Sequence, residues 1–274
     1  MANPEIYFHV GLGKTASTYL QMDVFPKFNN IHYIHTNKYK KAKEIIAEGK
    51  YDHYLVSREF DRQLEDEVRK FSSKYPDTHP IIILRRHDGW MASQYRRQVK
   101  NGNTYSFTEY FDVINNKGIW DRSEADFHNK LMILEKYFTK KPLVLFYEDL
   151  RTDQLMVIDK IAQFTKITYN KSNISTSKNH SSYSEKQLKG IKRVAKIIPL
   201  KKSYKSKIKV INFFHNLGVS VLRYPLLYFF KLMPNRFFTK EPLIDKKQLE
   251  EVRDYFASDW DKVKQYAEKN NPPL

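Results

Sequence analysis

Short apolar runs alternate with longer, charge-rich stretches through the first 150 residues, and that rhythm predicts strands of a parallel sheet covered by helices. Residues 5–10 are the first run. They end in Gly11-Leu12-Gly13-Lys14-Thr15, after which Ala16 to Phe25 has helical composition and meets Pro26. Tyr54-Leu55-Val56-Ser57 is a second strand candidate, followed by a charged helical segment from Asp61 to Lys74. Ile81-Ile82-Ile83-Leu84, behind Pro80, is the clearest strand, and Asp88 to Lys100 after it is compatible with a helix. Phe107 to Asn116 and Asp126 to Phe138 space apolar side chains three and four apart, as helices lying on a sheet do. Leu143-Val144-Leu145-Phe146-Tyr147 reads as another buried strand.

The rhythm changes later. Lys166 to Glu185 is rich in Ser, Asn, Thr and Lys, and has the composition of a loop that could close over a ligand. Ile208 to Leu232 is apolar and aromatic but broken by Lys209, Asn212, His215, Arg223, Pro225 and Lys231, too often for a membrane span. It fits an interfacial amphipathic helix or a buried helical hairpin. Leu249 to Tyr266 predicts a final amphipathic helix. The arrangement expected is one domain over 1–274, with an α/β core at 1–185, a basic, partly apolar helical insertion at 186–240 and a C-terminal helix within 241–274. In such a sheet, ligands bind at the carboxyl ends of the strands. Gly11 to Thr15, Glu59, Arg85 and Glu148 fall there.

Composition narrows the chemistry. Apolar residues at 41% and aromatics at 15%, with 19 Tyr and 18 Phe, indicate a folded chain despite 29% charged residues. The absence of cysteine excludes a disulfide scaffold, a thiolate metal site and a thiol nucleophile. The opening Met-Ala-Asn-Pro-Glu has no basic and apolar leader pattern, so a cytoplasmic location is expected. The formal charge is +17, and residues 186–240 hold fourteen Lys or Arg with no Asp or Glu. Such a field attracts polyanions or an anionic membrane surface. Nucleic acid is not expected as a partner, because no helix-turn-helix, zinc or RNA-recognition signature accompanies the charge.

Gly11-Leu12-Gly13-Lys14-Thr15-Ala16-Ser17-Thr18 joins a strand to a helix, where backbone N–H groups and a lysine converge on an anion site. It is not the standard nucleoside-triphosphate loop, whose first Gly would stand at position 8, here Phe8. Read as Gly-x-Gly-x-x-Ala it matches the dinucleotide fingerprint. That reading lacks the acidic residue about 20 positions on, where Tyr33-Ile34-His35-Thr36 stands.

From His9 to Gln21 the chain resembles the 5'-phosphosulfate-binding loop of sulfotransferases that use 3'-phosphoadenosine 5'-phosphosulfate (PAPS), especially bacterial and carbohydrate-type members. The segment Ile83 to Tyr95 is similar to that family's 3'-phosphate motif, an Arg at a strand end followed eight residues later by a helical Ser. Arg85 and Ser93 have that spacing, whereas Arg86 would change it. Ser57-Arg58-Glu59 resembles the family's Ser-Ser-Glu segment, with Arg58 in place of the second Ser. The resemblance covers roughly residues 5–165 and the last helix, and leaves 186–240 without a counterpart. The loop Ser177-Lys178-Asn179-His180-Ser181-Ser182 stands where family members cover the nucleotide.

What the resemblance implies is a P-loop-like α/β fold and transfer of a sulfuryl group from PAPS to a hydroxyl, leaving 3'-phosphoadenosine 5'-phosphate. Gly11, Gly13, Lys14, Thr15, Ala16, Ser17, Thr18, Arg85 and Ser93 would bind the donor. Lys14 would stabilise the charge that grows on the bridging oxygen, and Glu59 would act as general base. His9, His35, His53 and His87 are competing bases. No metal is expected, since the sulfuryl group carries less charge than a phosphoryl group and no ligand cluster is visible in the sequence. The acceptor expected from the family is a glycan or glycolipid hydroxyl. Two other classes stay open at this point: a P-loop-type nucleotide-dependent kinase, and a non-catalytic basic protein that docks on membranes or polyanions.

Overall fold

The computed structural model describes residues 4–176, 183–198, 200–201 and 209–272, with backbone only at 209–217 and 220. The loop expected over 177–182 lies outside them. By internal packing the chain forms two compact units, one of Met1–Trp90, Ser123–Ser177 and Tyr255–Leu274, the other of Met91–Arg122 and Lys178–Asp254.

In the first unit the apolar runs become strands. They are β1 (Glu5–Gly11), β2 (Phe28–Asn29), β3 (His32–Ile34), β4 (His53–Glu59), β5 (His79–Leu84), β6 (Leu143–Phe146) and β7 (Thr168–Tyr169). Five of them build one parallel sheet in the order β3-β4-β1-β5-β6, and β2 pairs antiparallel with β7. The central strand β1 is flanked by β4 and β5, so the chain leaves it first toward one edge and later toward the other. This is the P-loop-like α/β class the sequence predicts.

Both faces of the sheet are covered, which explains continuous apolar runs in place of strict alternation. Tyr7, Leu55, Ile81, Ile83, Leu143 and Leu145 share one buried cluster with Val157, Ile158 and Ile161 of α8 (Gln154–Phe164). On the other side Phe8 meets Phe71 of α3 (Leu64–Ser72) at 4.6 Å between ring centroids, with Phe60, Tyr39 and Phe138 around it.

The remaining helices are α1 (Ser17–Tyr19), α2 (Ala42–Ala47), α4 (His87–Lys100), α5 (Phe107–Tyr110), α6 (Phe127–Tyr137), α7 (Tyr147–Thr152), α9 (Glu185–Ala195), α10 (Lys209–Leu232), α11 (Lys246–Tyr255) and α12 (Ala257–Asn270). Three depart from the sequence expectation. The helix over Ala16–Phe25 is one α turn that widens to a π-helical stretch at Leu20–Val24, then tightens to a 3-10 turn at Phe25–Lys27 that takes Pro26 inside. The helix over Phe107–Asn116 stops after α5. The Asp112 carboxylate accepts the N–H groups of Ile114 and Asn115, and Asn116 turns left-handed at φ 56°, so a side chain competes with the helical ladder. The single C-terminal helix is two, because Phe256 leaves helical geometry between α11 and α12 and stacks on His87, with 1° between the ring planes.

In the second unit α9 and α10 pack through Ile191, Leu200, Leu227 and Phe230. The Phe230 ring lies so close to Gly190 that a Cβ there would sit 2.3 Å from its Cγ. A capping box of Ser184 and Gln187 starts α9, and Gln187 also donates to Leu227 O at 3.0 Å. Pro225 does not interrupt α10, which is one continuous helix of 24 residues.

Candidate active site

Parallel pairing brings the sequence-predicted residues to one edge. Gly11 and Glu59 are register partners at the carboxyl ends of β1 and β4, and Arg85 directly follows β5. Glu148, just past β6, accepts Arg86 N–H at 3.1 Å.

Between β1 and α1 the backbone takes a shape rare for side-chain-bearing residues. Lys14 and Ala16 both have positive φ, 73° and 66°, on either side of Thr15. Alternating hand turns successive N–H groups toward one side, the arrangement that makes an anion-binding concavity. The loop is braced from beneath. Thr15 and Ser17 are buried, and their hydroxyls donate to Leu12 O at 2.8 and 3.0 Å. Gly13 N–H donates to Asp61 Oδ1 at 2.9 Å, and the buried Trp90 indole donates to Gly13 O at 2.8 Å. A Cβ on Gly11 would come within 2.7 Å of Ser17 Oγ, so glycine lets the loop close on itself. Lys14 and Thr18 are exposed at its rim. The predicted loop residues therefore divide: Thr15 and Ser17 hold the loop with their hydroxyls, whereas Lys14 and Thr18 face outward.

Arg85 stacks over the Tyr147 ring at 4.3 Å, and its Nη1 reaches Lys14 O at 3.4 Å. Gly89 leaves room for it, since a Cβ there would meet Arg85 Nε at 3.2 Å. Ser93 lies one helical turn beyond Gly89 on α4, half-buried, within the range of the second unit. Arg86 is committed elsewhere, its fork gripping both oxygens of Asp88 at 2.8 and 2.9 Å. Arg58 turns to Thr36, at 3.3 Å from its Oγ1, and to the ring of Tyr39.

Each competing histidine has a structural setting. His9 is fully buried under the loop, and desolvation pushes its pKa down to about 3. Gln21 donates to Ser57 Oγ at 3.0 Å, and His9 Nδ1 shares a hydrogen bond of 2.8 Å with the same hydroxyl. His9 Nε2 is buried without a hydrogen-bond partner among the described residues. His35 caps a 3-10 turn by accepting Asn37 N–H. His53 begins β4, at the opposite edge of the sheet, 3.6 Å from Glu5. His87 is sandwiched between Phe127 and Phe256 and held by Asp259 at 3.0 Å.

Sequence reasoning missed Asp61 and Trp90, the two braces of Gly13. Asp61 stands two residues beyond Glu59 at the same strand end, which is the one signal that could have found it. Trp90 reads as an ordinary core residue until the fold brings its indole to the loop. A cavity of about 380 Å³ lies along β6 beside Lys160, Lys264 and Asn271 and contains none of the candidate site residues. Among the described residues no group of three His, Cys, Asp or Glu side chains gathers as a metal site would.

The family model for the sulfotransferase domain matches residues 24–215, more than half of the chain. That match begins after the loop and includes Glu59, Arg85 and Ser93. Two solved structures are similar at 15% identity. A crystal structure of a sulfotransferase from Alicyclobacillus acidocaldarius aligns over 65% of this chain and 88% of its own, with a TM-score of 0.49. The mouse sulfotransferase SULT7A1 complexed with PAP aligns over 97% and 90%, with a TM-score of 0.46. No curated protein sequence matches.

Proposed function

The chain belongs to the sulfotransferase domain family and is a PAPS-dependent transferase; from that premise we propose that the loop Gly11–Thr18, Glu59, Arg85 and Ser93 carry its donor binding and chemistry. The observation that carries this reading is the register of Gly11 with Glu59, which sets an anion-shaped loop and a half-exposed carboxylate side by side. The residues present suit a phosphosulfate in their chemistry: loop N–H groups between two left-handed residues, the exposed Lys14, and the Arg85 guanidinium that Gly89 leaves room for.

PAPS, when bound, supplies an activated sulfuryl group on a good leaving group. Lys14 and the loop N–H groups from Thr15 to Thr18 stabilise negative charge growing on the bridging oxygen, and such electrostatic stabilisation supplies most of the rate enhancement in transfers of this kind. Glu59 accepts the proton of the acceptor hydroxyl as its oxygen bonds to sulfur and the sulfur–bridging-oxygen bond breaks. Arg85, with Ser93 two turns along α4, grips the 3'-phosphate, and binding energy remote from sulfur orients the donor. Arg85 arrives pre-oriented by Tyr147, so less freedom is lost on binding.

We place the acceptor hydroxyl on a glycan or glycolipid reached in the cytoplasm, supported by the basic segment 186–240, which attracts anionic acceptors and surfaces. The test is transfer of labelled sulfuryl from PAPS to a panel of glycan and glycolipid hydroxyls, by the native chain and by Glu59→Gln. Transfer that collapses in Glu59→Gln supports the site. Equal transfer by both removes Glu59 as the base, and label on non-carbohydrate hydroxyls alone removes the acceptor class.

A further inference from the structure

Over its described side chains, from Gly218 to Leu232, α10 turns apolar residues both inward and outward. One face packs, with Val219, Leu227 and Phe230 buried and α9 against it. The other carries Val221, Leu222, Pro225, Tyr228, Phe229 and Leu232, spaced i, i+1, i+4, i+7, i+8 and i+11, all exposed. Leu232 is 84% exposed, Val221 64% and Phe229 56%. A helix on the surface of a globular protein normally turns polar residues outward. A contiguous outward apolar stripe marks an interaction surface.

Charge selects what covers it. Lys231 on α10 and Arg236, four residues past its end, are both exposed, and the 186–240 segment has fourteen cationic side chains and no acidic one. A second copy of this chain would bring the same positive segment against itself. Nucleic acid would answer the charge but offers no apolar depth to bury leucine and phenylalanine. A bilayer with anionic headgroups answers both. We propose that the outer face of α10 docks this protein on an anionic lipid bilayer, the helix lying in the interface with its stripe among the acyl chains. No described helix is long and apolar enough to cross a membrane. The inference deepens the surface part of the proposed function and does not depend on the transfer chemistry.

The experiment is co-sedimentation of the full chain with vesicles of phosphatidylcholine alone or with one-third phosphatidylglycerol. It compares native protein with Phe229→Glu/Leu232→Glu, two exposed sites. Circular dichroism and titration with 3'-phosphoadenosine 5'-phosphate on the same preparations confirm folding and report on the donor site separately. Binding to anionic vesicles only, reduced about tenfold or more in the double variant, supports the proposal. Three results overturn it: native protein that stays in the supernatant, a double variant that binds as well as native, or concentration-dependent dimers that Phe229→Glu/Leu232→Glu abolishes without any vesicle binding. Nucleotide binding by native protein that ignores vesicles refutes the docking and leaves the transferase reading standing.

Discussion

The loop at Gly11–Thr18 and the helical pair α9–α10 treat their groups in opposite ways. In the loop, hydroxyls are paired inward, Gly13 is held on both its N–H and its C=O, and an exposed lysine stands over a strained backbone. In α10, an apolar stripe faces out, and the buried Arg223 has Nε and Nη1 without hydrogen-bond partners among the described residues. A loop braced through Gly13, Thr15 and Ser17, with a few charges facing outward, suits electrostatic catalysis, where donors must be in place before charge develops. An apolar face left uncovered, beside an incompletely satisfied core, suits a surface that is finished by its partner.

The contrast can be broken from either side. The largest effect falls on the loop: Lys14→Ala removes an exposed side chain, so the protein keeps its thermal midpoint while turnover falls about 10²–10³-fold, as loss of one charge-stabilising donor does. Unchanged turnover would remove Lys14 from the chemistry. In the helical unit, Gly190→Ala drives a methyl into the Phe230 ring and costs about 1–3 kcal/mol in denaturant unfolding. A variant as stable as native would mean that the α9–α10 contact is looser than described.

Acid tests the shell beneath the loop. The folded pKa of His9, about 3, lies below its unfolded value near 6.5, so the unfolded chain binds the extra proton between those limits. Stability from this group is complete above pH about 6.5 and falls by about 1.4 kcal/mol per pH unit as pH drops toward 3. His9→Gln removes that slope, and the difference between native and variant unfolding free energies then shifts with pH. A constant difference from pH 7 to 4 would show that His9 is not buried neutral. The smallest effect is on the other side: Arg223→Met replaces a buried, partly unsatisfied charge with an apolar chain of similar length, and stability stays level or rises by about 1 kcal/mol. A clear loss would show that Arg223 has an anionic partner in solution.

How much of this could be read in the sequence depended on where each residue's partner lies. Ile6–Val10, Ile81–Leu84 and Leu143–Phe146 are legible because strands covered on both faces are short, fully apolar runs bounded by polar segments. The strand-end positions of Gly11, Glu59 and Arg85 are legible because each stands where an apolar run gives way to polar residues. Phe107–Asn116 deceived because its apolar spacing is helical, while the local side-chain bonds of Asp112 decide against the helix. The break at Phe256 was invisible, since it follows from a ring stacked on His87, far away in sequence. Asp61, Trp90 and the His9–Ser57–Gln21 chain were hidden for the same reason: each acts through a contact that exists only once β1, β4 and α4 are side by side.

Calorimetric titration with 3'-phosphoadenosine 5'-phosphate, beside Mg²⁺-ATP, for native protein and Arg85→Ala bears most directly on the donor site. Native protein is expected to prefer the bisphosphate, and Arg85→Ala to weaken it about ten- to a hundredfold, the worth of hydrogen bonds to a charged group. Preference for Mg²⁺-ATP, or equal affinity in native and variant, would contradict the donor site described.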